Sequence, residues 1–451
     1  MRETLVKSEE FKDSPVGRIP KDWETPTFEE ITVESAPICY GIVQPGSYVE
    51  SGVPVVAIQN LNSDYQTNIH RSVQAIESRY IRSRIHHNDV LLSVKGTIGR
   101  VDIVPSWFSG NISRDVARIR LKPCTSPRYI RQMLLAPSSQ KRLEQAVVGT
   151  TRAEISIGIL KQLRLPLPPL PEQEHIAEIL DTMDEAIAHT SSLIAKLKQM
   201  KAGLLHDLLT RGLDENGELR NAIAHPEQFK DSPLGRIPKA WEVRLVGEVF
   251  DLQLGKMLSK ASKIGHSPFP YLANRNVQWD EVDLSDLEWM DFNDNEREKF
   301  SLLPGDLLVC EGGESGRTAI WKGEMENCYF QKAIHRLRPK DSQVLPNYML
   351  RFMRRAFEHG FLTSFTSQTS ITHLTREKFA LLPLPLPTVE EQKAIVNVLD
   401  SHDARIRKEE AYREKLKLQK QGLMHDLLIG KVRVNDMYRP TSVDNTVQLT
   451  V

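Results

Sequence analysis

Two histidine–aspartate pairs are the residues in this sequence that most suggest chemistry. His206–Asp207 and His425–Asp426 each lie in a G-L-x-H-D-L-L segment. Neighbouring side chains on a helix point about 100° apart, so the two members of a pair do not converge on one ligand. No serine, cysteine or carboxylate cluster near them completes a catalytic or metal site. The pattern therefore favours helix packing or partner docking over catalysis.

Other enzyme signatures are absent or weak. The sequence has neither a G-x-x-x-x-G-K-[ST] phosphate loop nor the [DN]-P-P-[FYW] segment of an amino methyltransferase. The glycine-rich segment 312–316 lacks the flanking pattern of a nucleotide site, and Asp184–Glu185–Ala186 lies in a helical segment without other motor motifs. We therefore expect a chain that does no chemistry itself and holds no metal or cofactor.

Basic residues are segregated within two stretches of the chain, although the net charge is zero. Residues 24–78 carry one basic and seven acidic side chains, whereas 79–165 carry sixteen basic and five acidic ones. Residues 280–298 hold nine acidic and one basic residue, and 329–384 hold nine basic and three acidic ones. A concentration of basic side chains favours phosphate binding through counterion release, so both stretches predict contact with nucleic acid. A solvated surface is the alternative.

Polar residues in glycine-rich loops are candidates for contacts with bases. Arg and Lys donate to guanine, Gln and Asn to adenine, and Glu accepts from cytosine N4. Strand–turn packing would explain the glycines equally well. The candidates in these loops and basic stretches are Lys95, Thr97, Arg100, Arg114, Arg118, Thr151, Arg152, Glu314, Ser315, Arg317, Lys332, Arg336 and Gln368.

The elements that must position these residues follow from the apolar patterns. Short apolar runs at 89–94, 116–121 and 306–310 predict strands, and 128–136 and 346–357 predict helices. Each body is therefore expected to be an α/β domain of about 140 residues.

The chain contains an internal repeat. Residues 11–23 and 229–241 are identical at eleven of thirteen positions, and the blocks at 166–181 and 203–209 recur at 385–400 and 422–428. Between these blocks the two copies differ strongly. The repeat therefore predicts two similar scaffolds with different recognition surfaces, although uneven drift after duplication is the alternative.

A long helix is expected after each proline-rich block. Steps of four and three give a heptad seam in which eight of ten positions are apolar in the first copy and six of ten in the second. Pro171 and Thr388 suit helix starts, and Gly212 and Gly430 suit left-handed helix ends. We expect an antiparallel coiled coil about 60 Å long, although each helix could instead pack on its own domain. The seam positions are Ile176, Leu180, Met183, Ile187, Thr190, Ile194, Leu197, Lys201, Leu204 and Leu208, and Ile395, Leu399, His402, Ile406, Glu409, Arg413, Leu416, Lys420, Leu423 and Leu427.

The proline block and the chain's composition allow two further expectations. Prolines 166, 168, 169 and 171 could form a polyproline ligand, although a stiff connector between domain and helix is favoured. The four widely spaced cysteines, the absence of a signal peptide at the N-terminus and the absence of an apolar run of about 20 residues predict a cytoplasmic protein.

Taken together, two variable bodies alternate with two similar helical regions. F-K-D-S-P-x-G-x-I-P-x-x-W precedes each body, P-L-P-x-x-x-E-Q opens each helix and G-L-x-H-D-L-L closes it. This arrangement, from about residue 11 to 430, resembles the specificity subunit of Type I restriction-modification systems. The corresponding segments are 1–165 and 229–384 as target-recognition domains, 166–212 and 385–430 as conserved helical regions, 213–228 as a linker and 431–451 as a disordered tail.

The resemblance implies a specific role. Each recognition domain would read one half of a bipartite DNA target, and the helices would set the unread gap near one turn of duplex. Two methylation (M) subunits and motor-nuclease (R) subunits would bind the chain and bring S-adenosylmethionine, ATP and Mg²⁺. The alternatives are a protein scaffold with two peptide-binding heads and a self-sufficient nuclease.

Overall fold

The computed structural model describes residues 10–147, 153–259, 268–368 and 372–434. The chain divides into two compact units, unit 1 (1–191 with 411–451) and unit 2 (192–410). The division passes through both long helices, so each unit contains one body and part of each helix. No helix in the described ranges is both long and apolar enough to cross a bilayer.

Unit 1 contains an antiparallel four-stranded sheet, a three-stranded sheet and an N-terminal hairpin. The order of the larger sheet is β3-β9-β6-β7, that of the smaller sheet is β5-β4-β8, and β1 pairs with β2. The strands are β1 (Phe11–Ser14), β2 (Gly17–Pro20), β3 (Cys39–Tyr40), β4 (Val53–Val56), β5 (His70–Ser72), β6 (Val90–Ser93), β7 (Val101–Ile103), β8 (Asn111–Ile112) and β9 (Val116–Ile119). The helices are α1 (Gln74–Glu77), α2 (Pro127–Leu135), α3 (Pro137–Gln145), α4 (Ile157–Gln162) and the first part of α5 (Leu170–Leu208).

Unit 2 repeats this plan. Its four-stranded sheet has the order β13-β19-β16-β17, its three-stranded sheet the order β15-β14-β18, and three strand pairs complete it (β10-β11, β12-β22 and β20-β21). The strands are β10 (Phe229–Ser232), β11 (Gly235–Pro238), β12 (Glu242–Leu245), β13 (Phe250–Leu254), β14 (Pro268–Leu272), β15 (Glu288–Asp291), β16 (Leu307–Cys310), β17 (Thr318–Ile320), β18 (Tyr329–Phe330), β19 (Ile334–Pro339), β20 (Ser367–Gln368), β21 (Thr372–His373) and β22 (Pro383–Leu386). The helices are α6 (Val246–Val249), α7 (Asp294–Lys299), α8 (Pro346–Glu358), α9 (Arg376–Ala380) and the first part of α10 (Val389–Leu428).

The strands and helices predicted from the apolar runs are present. The continuous apolar run in β6 is explained by packing on both faces of the strand. Val90 and Leu92 pack in the core that contains α2, whereas Leu91 packs in a second core with residues of the smaller sheet. All four residues of β6 are buried. A strand that is covered on both faces needs apolar residues throughout, which explains why this segment does not alternate.

The two long helices pack together, and every predicted seam position is buried or half-buried. In unit 1, Lys420 of α10 contacts Asp184 of α5 with an Nζ–Oδ1 distance of 2.6 Å. In unit 2, Lys201 of α5 contacts Asp403 of α10. The N-terminal half of each helix thus lies beside the C-terminal half of the other, which confirms the antiparallel pair. Lys420 and Lys201 are tolerated in the seam because each is neutralised by a carboxylate of the partner helix.

The glutamate of each P-L-P-x-x-x-E-Q block has a structural role that sequence reasoning missed. Thr388 caps α10 as predicted, since its hydroxyl accepts from the Glu391 N–H at 3.3 Å. The Glu391 carboxylate, however, accepts from Trp241 Nε1 at 3.0 Å and pairs with Arg220. Because its oxygens contact Trp241 and Arg220, it does not reach back to the Thr388 N–H as in a capping box, and instead fastens the start of α10 to the body of unit 2.

Unit 1 contains the matching arrangement. Glu172, in the first turn of α5 beside Pro171, accepts from Trp23 Nε1 at 3.0 Å and pairs with Arg433. Arg433 also pairs with Asp22. Residues 431–434 therefore differ from the predicted disordered tail, because they pack in unit 1. The remainder of that tail, 435–451, lies outside the described residues.

The glutamine that follows each of these glutamates also fastens the helix to its body. Gln173 accepts from the Ser126 N–H at 2.8 Å, and Gln392 accepts from the Leu345 N–H at 2.9 Å. Both amide groups also donate to the carbonyl of a proline at the end of the proline block, Pro168 or Pro387. The E-Q pair therefore attaches each long helix to its body.

The proline blocks are connectors. Pro166 and Pro168 are buried, and in unit 2 Pro383–Leu386 pairs as β22 with β12. A polyproline ligand needs an exposed face for its receptor, so burial argues against that alternative.

Gly212 and Gly430 both have left-handed backbone conformations, with φ of +64° and +69°. Gly430 ends α10 as predicted, since its N–H bonds the Leu427 carbonyl at 3.2 Å. Gly212 lies farther from the end of its helix than expected, because an additional turn follows α5. A Cβ on Gly212 would lie 2.2 Å from Glu391 Oε1 and 2.5 Å from the Trp241 ring. Both the backbone conformation and the close approach therefore require glycine here.

We expect Gly212→Ala to destabilise unit 2 by roughly 2 kcal/mol or more, because backbone strain and steric overlap add. Gly203→Ala is the matched control. Gly203 lies inside α5 with open space around its Cβ position, so alanine should stabilise the helix there by about 0.5–1 kcal/mol. Urea denaturation measures the free energy of unfolding of both variants, which should decrease for Gly212→Ala and increase for Gly203→Ala. An equal change in the two variants would contradict the role of Gly212.

His335 on β19 predicts a pH dependence of unit 2. Its side chain is fully buried, and Nε2 donates to the Leu374 carbonyl at 2.7 Å. Burial lowers the pKa of His335 from 6.5 to about 4. Between these values the unfolded chain binds a proton that the native state does not. Stability should therefore fall by about 1.4 kcal/mol per pH unit as the pH decreases from 6.5 towards 4.

Hydrogen exchange of β16 and β19 amides at pH 7, 6 and 5 would measure this loss in unit 2. We expect His335→Gln to flatten the pH dependence, whereas His87→Gln, at an exposed position of unit 1, should leave it unchanged. If the stability of unit 2 depended as steeply on pH in His335→Gln as in the wild type, other titratable groups would be responsible for the pH dependence.

Candidate DNA interface

Each unit places a glycine turn at the same end of its central strand. The turn between β6 and β7 is closed by the Gly99 N–H donating to the Ser93 carbonyl at 3.1 Å. The turn between β16 and β17 is closed by the Gly316 N–H donating to the Cys310 carbonyl at 2.9 Å. The two copies thus present different side chains from equivalent turns, as the sequence predicted.

A second segment lies beside each glycine turn. In unit 1 the Ile155 N–H donates to the Val94 carbonyl at 2.8 Å, and in unit 2 the Leu374 N–H donates to the Glu311 carbonyl at 2.8 Å. The described segments 153–155 and 372–374 therefore lie beside the glycine turns at corresponding places in the two units. Thr151 and Arg152 lie outside the described residues. Gln368 belongs to β20, and only its backbone is described.

The unit 1 candidates Thr97 and Arg100 are exposed on the turn. Lys95 is partly buried and forms a 2.6 Å ion pair with Glu154, which ties the turn to the neighbouring segment. Arg114 is half-buried, with its guanidinium 3.7 Å from Asp115. Thr97 and Arg100 are therefore the unit 1 candidates best placed to contact a ligand.

In unit 2, Glu314 is exposed and held in place by two donors. Trp279 Nε1 donates to it at 3.1 Å, and Arg317 pairs with it at 3.2 Å. The Arg317 guanidinium also donates to the Asn274 carbonyl at 2.8 Å. Lys332 is exposed in the connection between β18 and β19. Glu314 and Lys332 are therefore accessible candidates, whereas Arg317 is committed to positioning Glu314.

Three candidates are corrected by burial. Arg118 is 2% exposed and donates to the Pro37 carbonyl, and Arg336 is 5% exposed and donates to the Ser301 carbonyl. Ser315 is 8% exposed and donates to the Glu311 carbonyl. These groups cannot reach a base or phosphate in this fold. Arg118 and Arg336 lie on the central strands β9 and β19. For Arg118, the position between Ala117 and Ile119 was a signal of burial.

Part of the basic excess serves the interior of each unit. Arg120 binds buried Asp89 through two nitrogen–oxygen contacts of 2.7 Å, and Arg338 binds buried Asp306 in the same way. Such bidentate pairs hold the sheet, so these arginines are not available to a ligand. Sequence reasoning missed Arg79 and Arg82, which are exposed after α1 in unit 1.

The histidine–aspartate pairs do not converge, in agreement with the sequence argument. His206 Nδ1 lies 3.1 Å from His359 Nε2, whereas Asp207 pairs with Arg211 at 3.5 Å. His425 is exposed, and Asp426 pairs with Lys431 at 2.9 Å. Within the described ranges, no group of three or more His, Cys, Asp or Glu residues could hold a metal ion.

The comparisons with known proteins agree with this arrangement. The family profile described as Type I restriction modification DNA specificity domain matches twice, at residues 20–199 and 238–418. The chain is 24% identical to the MjaVIII specificity subunit of Methanocaldococcus jannaschii, over 96% of this chain and 98% of that protein. It is 31% identical to the EcoBI specificity subunit of Escherichia coli, over 39% of this chain and 37% of that protein.

A solved structure shows the same fold. The Type I restriction-modification S subunit from M. genitalium aligns with a TM-score of 0.51 and 16% identity, covering 95% of this chain and 99% of that one. The peptide-binding scaffold alternative finds no support in these relatives. With two matches that together span most of its length, the chain belongs to the family of Type I restriction-modification DNA specificity subunits.

Proposed function

We propose that each unit reads one half of a bipartite DNA target and that the paired helices set the gap between the halves. The observation that carries this proposal is the repetition of one scaffold with unlike turns. The sheets of the two units have corresponding strand orders, but the turns carry Thr97 and Arg100 in one and Glu314 in the other. A donor-rich and an acceptor-bearing turn suit different bases.

The partners in this proposal are double-stranded DNA, two M subunits and R subunits. Exposed parts of the paired helices, including the segment around His425, would be the surfaces for M subunits. The chain itself would do no chemistry, which is consistent with the separate contacts of His206 and Asp207. The partner subunits would supply S-adenosylmethionine, ATP and Mg²⁺, and the complex would act in the cytoplasm.

Exchange of residues 24–165 for the body of another family member tests whether each unit recognises its half of the target independently. The exchange keeps Trp23 and Glu172, which fasten the first body to α5. Methylome sequencing of cells that express the variant with its M subunits should show one changed half-target and one unchanged half-target. A change in both halves, or in neither, would contradict the proposal.

Salt dependence separates DNA recognition from a protein-scaffold role. Affinity of the complex for its target should fall steeply between 50 and 200 mM salt, by roughly 10³-fold for about six phosphate contacts. Absence of measurable binding to any duplex, with M subunits present, would support the scaffold instead.

A further inference from the structure

His206 and His359 place two imidazole nitrogens unusually close together on the surface of unit 2. His206 lies in the last turn of α5, and His359 directly follows α8. The Nδ1–Nε2 distance is 3.1 Å, the ring centroids are 4.9 Å apart and the planes differ by 26°. Both side chains are exposed, so a small ligand can reach the pair.

The ring positions fit two nitrogens that face a common point. A metal ion about 2.1 Å from each nitrogen would subtend an angle of about 95° across 3.1 Å, between octahedral and tetrahedral values. With that angle the ring centroids would be about 4.8 Å apart, whereas a collinear N–H···N bond would place them about 5.4 Å apart. The observed 4.9 Å agrees with the converging arrangement.

The surroundings hold the His359 ring in the tautomer that a metal needs. His359 Nδ1 lies 3.1 Å from the Arg355 carbonyl oxygen, so Nδ1–H donates there and Nε2 keeps its lone pair. Metal-binding histidines commonly donate their second ring nitrogen to a backbone carbonyl in this way.

The charges around the pair are mixed. Arg355 opposes a cation, whereas Asp207 favours one, although this carboxylate also pairs with Arg211. Within the described part of the chain, no third His, Cys, Asp or Glu joins the two histidines as a ligand group. The remaining coordination positions would therefore be filled by water.

We propose that His206 and His359 form a two-histidine site for a first-row divalent transition-metal ion, joining the end of α5 to the end of α8. Imidazole ligands suit Cu²⁺, Ni²⁺ and Zn²⁺, and Cu²⁺ binds such ligands most tightly. The site is independent of DNA recognition.

Unit 1 provides the matched control. His425 occupies the equivalent place in its motif and lines a groove of about 700 Å³ together with residues such as Met133, Pro137 and Lys141. None of the residues described around that groove is a second histidine, a cysteine or a carboxylate. Among the residues described around this groove, His425 therefore has no second ligand for an equivalent site.

The test is a calorimetric titration of the full chain with Cu²⁺ alone, together with electron paramagnetic resonance. Compared with the wild type, His206→Asn and His359→Asn should each lose the same one equivalent, or weaken it at least tenfold. The spectrum of that equivalent should show coupling to two nitrogens. His425→Asn should keep it. Circular dichroism without metal confirms folding, which is expected because the substituted side chains are exposed.

Two outcomes would overturn the site. One is equal Cu²⁺ stoichiometry and affinity in the wild type, His206→Asn and His359→Asn. The other is loss of the same equivalent in His425→Asn, which would indicate nonspecific binding by surface histidines. Neither result would affect the proposed reading of DNA, because the titration contains no DNA.

Discussion

A chain with seven residues inserted after Ser191 and seven after Glu410 should lose modification of its native target. These points mark the boundary between the two units, so contacts such as Lys420–Asp184 and Lys201–Asp403 remain within their units. Seven helical residues add about 10 Å, which equals about three base pairs of duplex. If the lengthened chain modifies a new target, the gap between the two halves of that target should be about three base pairs longer.

The phase of the duplex makes this effect large. Three base pairs turn B-DNA by about 100°, whereas one heptad returns almost the same face of a coiled coil. The native target should therefore be modified at least tenfold more slowly, as measured with methylation assays on duplexes of graded gap. Lys196→Ala with Gln199→Ala, both exposed on α5, is the control of unchanged length. An unaltered gap in the doubly lengthened chain would refute the role of the helices in spacing.

Glu391→Ala should destabilise unit 2 by about 3–5 kcal/mol, because it removes one partner from a largely buried cluster of charges and donors. The indole N–H of Trp241, the guanidinium of Arg220 and the Leu213 N–H all bond this carboxylate. Glu390→Ala is the matched control, since Glu390 is exposed one position earlier, and it should change stability by less than about 0.5 kcal/mol.

The equivalent substitution in unit 1, Glu172→Ala, should lower the free energy of unfolding by less than Glu391→Ala. Arg433 pairs with both Glu172 and Asp22, so Glu172→Ala leaves its guanidinium one carboxylate. Urea denaturation monitored by hydrogen exchange in each unit would compare the two variants. If Glu172→Ala cost as much as Glu391→Ala, the second carboxylate of unit 1 would have no stabilising role.

The long helices were predictable because their heptad pattern persists for about ten turns, and all twenty seam positions are buried or half-buried. The central strands were predictable because both of their faces are covered, which produces continuous apolar runs such as Val90–Leu92. The small three-stranded sheets were not foreseen. Strands such as Asn111–Ile112 have only two residues, and periodicity cannot distinguish so short a segment from a loop.

The candidate interface was predicted less completely, and burial explains the difference. Sequence placed the glycine turns correctly, because glycine marks backbone conformations that other residues avoid. It did not distinguish Arg100, which is exposed, from Arg118, which donates to a backbone carbonyl inside the sheet. Charge counts treat these arginines alike, whereas their availability to DNA depends on tertiary contacts that leave no periodic signal.

The division of the chain into a continuous unit and a discontinuous one has a consequence for biosynthesis. Unit 2 uses residues 192–410, whereas unit 1 needs residues 411–434 to complete its helix pair and to bring Arg433 to Glu172. During translation the first 191 residues therefore emerge from the ribosome before residues 411–434, with which they pack in the finished chain. The body made second is the first that can assemble fully, which reverses the usual order of N-terminal domains folding first.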